Sequence, residues 1–368
     1  MEDVFRFADH LGPEKIVHIH VPGVGLKAIV VIDNLSCGPA IGGVRMAVDV
    51  TLEECVRLAR AMTLKNAAAG LAHGGGKSVI KGDPGMPLAE KQRIIRAFAC
   101  AIRDLAGYIP GPDMGTNESC MAWVHDEIGR AVGLPEELGG IPLDEIGATG
   151  FGLAASIEAA RPYVSFDLRA ARVAIQGFGA VGQHAARFLA EKGAILVAAA
   201  DSSATVYDPN GLDIAALIAH KHAGQPLASC AAGEKRDVDA IIDVDCEIWI
   251  PSARPDVLRA NNVARLRTKL VAQGANIPAT AEAEARLHAR GILVLPDFIA
   301  NAGGVICAAV EYHGGTEAAA LAAIGEKIAR NTRTVLERAA RTGVLPRAAA
   351  VALAEQRVQN ASRHRRWG

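Results

Sequence analysis

The stretch Gly177-Phe178-Gly179-Ala180-Val181-Gly182 limits the folds open to this chain more than any other feature. An apolar run, Arg172 to Gln176, ends just before it, and a helical pattern from Val181 to Lys192 begins inside it. A second apolar run, Ala194 to Ala200, closes on Asp201, 19 residues after Gly182. A glycine turn alone says little, but strand, turn, helix, strand and terminal acid in this order form the Rossmann fingerprint. Gly177 then permits the tight turn, Gly179 lets the backbone approach a pyrophosphate, and Gly182 lets helix and strand pack closely. The helix N-terminus offers free N–H groups and a partial positive charge to the same group. Asp201 is placed to accept hydrogen bonds from an adenosine ribose, and its charge favours NAD over NADP, although Ser202 and Ser203 beside it are able to receive a 2′-phosphate.

The rest of the second half continues this rhythm, with short apolar runs at Glu247–Pro251, Lys269–Gln273 and Ile292–Leu295 and helical segments between several of them. Such alternation predicts a doubly wound parallel sheet. The first half reads differently. Ile16–Val21 and Leu26–Asp33 are strand-like, and Thr51-Leu-Glu-Glu54 fits a capping box that opens a helix. Gly70–Gly76 reads as a loop before a short strand at Ser78–Ile80, a helix follows over Leu88–Leu105, and Ile109–Thr116 is too rich in turn residues for regular structure. Glu317–Arg341 is helical and is expected to pack back on the first domain. The fold predicted is α/β in two domains, since 368 residues exceed what one core usually supports. An N-terminal α/β domain with a mixed sheet spans 1–146 and is joined by C-terminal helices at about 325–368, and a Rossmann-type domain spans 147–324.

Charge and cysteine usage exclude other classes. A net charge of −1 with 4% aromatic residues argues against a nucleic-acid or anionic-membrane partner. Apolar runs such as Ala194–Ala200 are far too short to cross a bilayer, and Met1-Glu2-Asp3 does not open a signal peptide, so a cytoplasmic location is expected. Seven cysteines without a Cys-x-x-Cys pair predict neither a disulfide framework nor a zinc site. The basic end, Arg363 to Trp367, reads as a solvated terminus.

Gly74-Gly-Gly-Lys77-Ser78 invites a phosphate-binding reading, but that loop requires glycine where Leu71 stands, and a strand where the preceding residues read as helix. Lys65, Lys77 and Asp113 instead lie among glycine, proline and small apolar residues, an unusual setting for solvated charges. Were the two lysines to meet in a partly closed cleft, each would lower the other's pKa. One would then hold a carboxylate while the other acted as a neutral base.

The chain resembles the glutamate/leucine/phenylalanine/valine dehydrogenase family. The matching stretches are GLKAIVVIDN from Gly25, GPAIGGVRM from Gly38, MTLKNAAAGL from Met62, GGGKSVI from Gly74, PGPDMGTNE from Pro110, GFGAVG from Gly177 and NAGGVI from Asn301, all in family order. The resemblance implies reversible oxidative deamination of an L-amino acid to a 2-oxo acid and ammonia by NAD or NADP, without a metal, in a closed homo-oligomer. It implies that the first domain binds substrate and supports oligomerisation, and that the two domains close over the reacting groups. Lys65 resembles the lysine that binds the α-carboxylate, Lys77 the lysine that activates water, and Asp113 the carboxylate that exchanges a proton with the amine. Gly42 resembles a backbone contact to substrate, and Thr149, Asn276 and Asn301 resemble positions at the nicotinamide end.

Departures from the family pattern bear on the substrate. Ala72-His73 replaces a proline and an apolar residue before the triple glycine, placing an imidazole near Lys77. Where family glutamate dehydrogenases carry a lysine before the GG pair, this chain has Ile41, and where they carry a serine after NAGG it has Ala308. Burying an unpaired γ-carboxylate is costly, so an apolar substrate of the leucine, phenylalanine or valine class is expected, with glutamate as the alternative. A catalytically silent dinucleotide-binding protein explains the three polar residues poorly.

Overall fold

Strands buried along most of their length on both sides give this chain two sheets, each with a core on both faces. The computed structural model describes Asp3 and residues 5–365. Met1 and Glu2, the end of the basic run at Arg366 and Trp367, and the extremes of the ranges 1–146 and 325–368 therefore lie outside the described residues.

The first sheet is built from β1 (Lys15–Val21), β2 (Leu26–Asn34), β3 (Ala40–Ala47), β4 (Gly74–Lys81) and β5 (Tyr108–Pro112). Helices α1 (Leu52–Ala68), α2 (Leu88–Ala101) and α3 (Glu118–Ile128) accompany it. The strand order is β1-β2-β4-β3-β5. β2 runs antiparallel to β1 and β4, and β3 runs parallel to β4 and β5. One face packs Val30, Ile32, Met46 and Ile80 with Ile95 and Phe98 of α2 and Met121 of α3. The other packs Val31 and Val79 with Cys55, Val56 and Ala59 of α1. The capping box is half made: Thr51 accepts a hydrogen bond from the Glu54 N–H at 3.1 Å, but the Glu54 carboxylate turns to Arg45 instead.

Two segments expected to be irregular are strands in whole or in part. Gly74–Gly76, predicted as loop, opens β4, and Ile109–Pro112, the first part of the stretch read as irregular, lies in β5. The glycines are there for close packing: a side chain on Gly75 would overlap Thr63 of α1, and one on Gly76 would lie 3.0 Å from the Tyr108 ring. Pro110 and Pro112 sit in β5, an edge strand. Ala40 donates to Gly107, and the register that follows turns both prolines' missing N–H positions to the open edge.

The second sheet comprises β6 (Arg172–Gln176), β7 (Ile195–Ala200), β8 (Thr205–Tyr207), β9 (Glu234–Arg236), β10 (Ile248–Pro251), β11 (Leu270–Ala272) and β12 (Leu293–Leu295). Its helices are α4 (Ala148–Ala159), α5 (Ala180–Ala190), α6 (Ile214–His222), α7 (Ala281–Ala289) and α8 (Asp297–Ala300). The order is β12-β11-β10-β6-β7-β8-β9; the first five strands are parallel, as the alternation predicted. β8 and β9 extend the sheet antiparallel; unlike the equally short β11 and β12 they are not apolar runs, β9 being wholly charged, so nothing in the sequence announces them. Three helices complete the chain: α9 (Gly303–Tyr312), α10 (Glu317–Thr342) and α11 (Pro346–Ser362).

Two units result. The first holds the described residues of Met1–Leu143, Val305–Ala320 and Val351–Gly368, and the second holds Asp144–Gly304 and Leu321–Ala350. This corrects the ranges 1–146 and 325–368. Most of α10, expected on the first domain, belongs to the second unit, where Thr332 shares a 2.9 Å hydrogen bond with Ser156 and Leu336 joins the core around Leu153 and Ile157.

Candidate active site

Lys77 projects from β4 and Asp113 follows directly on β5, the two strands that flank β3. Their charges pair across the two glycines of β3: the Lys77 Nζ donates to Asp113 Oδ2. Arg45, also on β3, donates through Nε to Asp113 Oδ1 at 3.1 Å, so the carboxylate lies between two cations. Lys77 is buried and the Asp113 side chain is 18% exposed. Burial works against ionisation of Asp113, but the nearby Lys77 charge, its hydrogen bond and Arg45 outweigh it and hold the carboxyl below its ordinary range. Gly43 makes this possible, because a Cβ there would lie 2.7 Å from Asp113 Oδ2 and 3.0 Å from Lys77 Nζ. Lys77 and Asp113, singled out together in the sequence, are thus direct partners.

Lys65 lies in the last turn of α1, and its neighbour Asn66 ties that helix to the site strands by donating to Gly74 O at 2.6 Å and Ile41 O at 3.4 Å. Ile41 and Gly42 precede Gly43 on β3, and Ile41 is buried. Ala308 lies on α9, which Glu311 anchors within the same unit: its buried carboxylate accepts the N–H groups of Gly133 (2.7 Å), Leu134 (3.1 Å) and Ile141 (3.0 Å). His73 is buried before β4, its Nδ1 facing Pro39 O at 3.0 Å and its Nε2 facing His313 at 3.2 Å. Burial lowers its pKa, so the imidazole there is a neutral packing group.

In the second unit the fingerprint glycines have the contacts their roles require. Gly177 adopts φ +94°, and a Cβ on it would press on the Ser252–Ala253 backbone; one on Gly182 would overlap Gly177 O. Gly179 caps α5 with extended backbone, makes no side-chain capping bond and has open space where a Cβ would stand. The α5 N-terminus, with Phe178 buried beneath and Ala180 exposed, thus fits a pyrophosphate. Thr149 lies against Gly303 and Gly304, and Asn301 Nδ2 donates to Asn276 Oδ1 at 3.1 Å. Asn301 Oδ1 is buried without a protein partner, an acceptor left for a bound group. Asp201 is more engaged than expected. Lys221 Nζ (2.7 Å) and the Leu227 N–H (3.0 Å) donate to Oδ2, and the Ser203 N–H (2.8 Å) and hydroxyl donate to Oδ1. Burial raises its pKa, but these donors together hold the carboxyl well below its ordinary range.

Arg45 and Lys221 escaped the sequence reading because their partners, Asp113 and Asp201, are 68 and 20 residues away. Among the described residues no cluster of three or more His, Cys, Asp or Glu is placed to hold a metal ion, and no helix is long and apolar enough to cross a membrane.

Two units, one with an α5 N-terminus shaped for a dinucleotide and one with a buried lysine–carboxylate pair, define a nucleotide-dependent α/β enzyme. Its particular family follows from comparison. A model of the Glutamate/Leucine/Phenylalanine/Valine dehydrogenase family matches residues 139–366, and one of the Glu/Leu/Phe/Val dehydrogenase dimerisation domain matches 13–130. The chain belongs to this family of amino-acid dehydrogenases. It is 37% identical over 322 residues to a glutamate dehydrogenase of Aeropyrum pernix, covering 82% of this chain and 77% of the relative. Over 293 residues it is 36% identical to an NADP-specific glutamate dehydrogenase of Saccharolobus shibatae, covering 76% and 69%. The hetero-hexameric glutamate dehydrogenase of Thermus thermophilus, solved with Leu bound, superimposes with a TM-score of 0.85 at 31% identity, covering 95% of this chain and 89% of the other. The L-tryptophan dehydrogenase of Nostoc punctiforme gives 0.75 at 26%, covering 95% and 97%.

Proposed function

We propose that this chain catalyses reversible, NAD- or NADP-dependent oxidative deamination of an apolar L-amino acid of the leucine, phenylalanine or valine class to its 2-oxo acid and ammonia. The observation that carries the reading is the pairing of buried Lys77 with half-buried Asp113 across the glycines of β3 in the first sheet. Lys65 binds the substrate α-carboxylate and the Gly42 backbone lines it. Asp113, ionised between Lys77 and Arg45, takes a proton from the substrate ammonium so that the amine nitrogen has a free pair. Lys77, once it has released its own ammonium proton to solvent, then removes a proton from the water that attacks the imino carbon, and Asp113 returns its proton to the departing ammonia. The bound dinucleotide supplies one chemistry, acceptance of the Cα hydride. Gly177 to Gly182 hold its pyrophosphate, and Thr149, Asn276 and Asn301 hold its nicotinamide end.

The apolar preference rests on Ile41 and Ala308, neither of which offers a γ-carboxylate a cation or a hydroxyl. Glutamate is the second reading, favoured by relatives that are themselves glutamate dehydrogenases. The cofactor choice is more even than the charge of Asp201 suggested, because Lys221 neutralises that charge and stands ready for a 2′-phosphate. We also infer a homo-oligomer, from the match to a dimerisation domain. The test is kcat/KM for leucine, phenylalanine, valine and glutamate, each with NAD and with NADP. An apolar substrate should lead, and a glutamate value equal to or above the best of them overturns the apolar reading and promotes the second.

A further inference from the structure

The ladder between β3 and β4 is interrupted at the site. Paired residues run as far as Ile41 opposite Gly75 and resume at Val44 opposite Ser78, leaving Gly42 and Gly43 across from Gly76 and Lys77 unbridged. Beneath this gap lies Tyr108, the first residue of β5 and wholly buried. Its ring passes under β3 to touch Gly76, where a Cβ would come within 3.0 Å of it. Its hydroxyl donates to Gly42 O at 2.9 Å, with Gly43 O at 3.5 Å, and lies 2.9 Å from Ser78 Oγ. A carbonyl has no proton to give, so the phenol proton goes to Gly42 and the Ser78 hydroxyl donates to the phenol oxygen. One hydroxyl pair therefore bonds across the interruption, from the residue next to Lys77 on β4, through β5, to the glycines of β3.

We propose that Tyr108 and Ser78 are positioning residues of the deamination reaction: their hydroxyl pair holds the opened stretch of β3 in place and so sets the separation of the Lys77 ammonium from the Asp113 carboxylate. The proposal rests on the reading of that ion pair as the catalytic one. The geometry favours positioning over mere packing, because the phenol oxygen bonds the one backbone segment that lies between the two charges. Gly42 and Gly43 are paired to Pro110 and Gly111 of β5 but on the β4 side have no ladder, and a shift of Gly43 there meets Asp113 and Lys77 directly. Neither hydroxyl is a proton carrier, since burial pushes the Tyr108 phenol well above its ordinary range and it stays neutral.

Tyr108→Phe keeps the buried ring and removes only the hydroxyl; Ser78→Ala removes the other end of the bond and leaves the phenol in place. Each should lower kcat for deamination, Tyr108→Phe by about 10- to 100-fold, the scale of a small misplacement of reacting groups. Dinucleotide KM should stay within about twofold, and the acid limb of the kcat/KM profile should move to higher pH, because a loosened Lys77 holds Asp113 ionised less strongly. The double variant should be little worse than Tyr108→Phe, since both act through one bond. Ser78→Ala decides the matter alone if Tyr108→Phe does not fold. Rates and pH profiles within about twofold of wild type, or a loss falling equally on dinucleotide KM, overturn the proposal. Lys77→Ala, run in parallel, separates the two levels. If it is inactive while Tyr108→Phe behaves as wild type, only the positioning role falls; if it turns over normally, the catalytic reading falls with it.

Discussion

Gly43 and the Asp113 carboxylate compete for one small volume, and this makes a glycine on a regular strand indispensable for chemistry. Gly43→Ala needs no unusual backbone angle, but its methyl would stand 2.7 Å from Asp113 Oδ2. The Asp113 side chain must swing away, so kcat should fall by about 10²-fold or more with only a small change in thermal midpoint. Wild-type turnover in this variant would remove the ion pair from the mechanism. Arg45 is tested through pH. It helps hold Asp113 below the ordinary carboxylate range, so Arg45→Met should raise the pH at which activity is lost on the acid side. The same depressed carboxyl contributes stability that is present above its unfolded-state pKa and is lost as pH falls through its folded value, so wild type should lose more stability in acid than Asp113→Asn does. Lys77 and Asp113 were legible from sequence because each sits in a motif. Arg45, Tyr108 and Lys221 were not, because each acquires its meaning from a residue that only strand pairing or a turn brings near.

At the level of elements, the parallel strands of the second half were legible because short apolar runs recur with helical segments between them. The first half misled where glycine and proline, ordinarily breakers, serve strands: Gly75 admits Thr63, and the prolines of β5 face an open edge. A buried charge network that no period announces ties the second unit together. Arg347, at the start of α11, donates to Glu284 of α7 at 2.7 Å, to Asp297 of α8 at 2.9 Å and to Gln273 Oε1 at 2.7 Å. Asp297 in turn accepts the Ile277 N–H at 2.8 Å, fixing the loop that carries Asn276. Arg347→Met would strand two buried carboxylates, a change that costs about 3–5 kcal/mol in comparable cases. Chemical unfolding should report a loss of that order, together with weakened dinucleotide binding. A loss below about 1 kcal/mol would show that water replaces the guanidinium without penalty.

Across the whole molecule, the proposed chemistries fall on different units, the proton-transfer pair on the first and the dinucleotide turn on the second. Neither composition nor net charge carries that division; it comes from the change of texture near Gly147, close to the observed boundary after Leu143. The outer assignment was less accurate because the chain crosses between the units again within α9, α10 and α11, where one helical period runs on unchanged. Separate locations predict separable defects. Gly179→Val meets open space and ordinary backbone angles, so the fold should accept it, yet its side chain would occupy the approach to the α5 N-terminus. Dinucleotide affinity, followed by the fluorescence of the reduced cofactor, should weaken by about 10-fold or more, as the helix N–H donors lose contact with the pyrophosphate. Lys77→Ala should do the reverse, lowering kcat by about 10²- to 10⁴-fold while the dinucleotide Kd stays within about threefold. If Gly179→Val binds dinucleotide as wild type does, the turn after β6 is not the pyrophosphate site. If Lys77→Ala weakens dinucleotide binding as much as turnover, Lys77 contributes to the cofactor site and its role as the base that activates water has to be withdrawn.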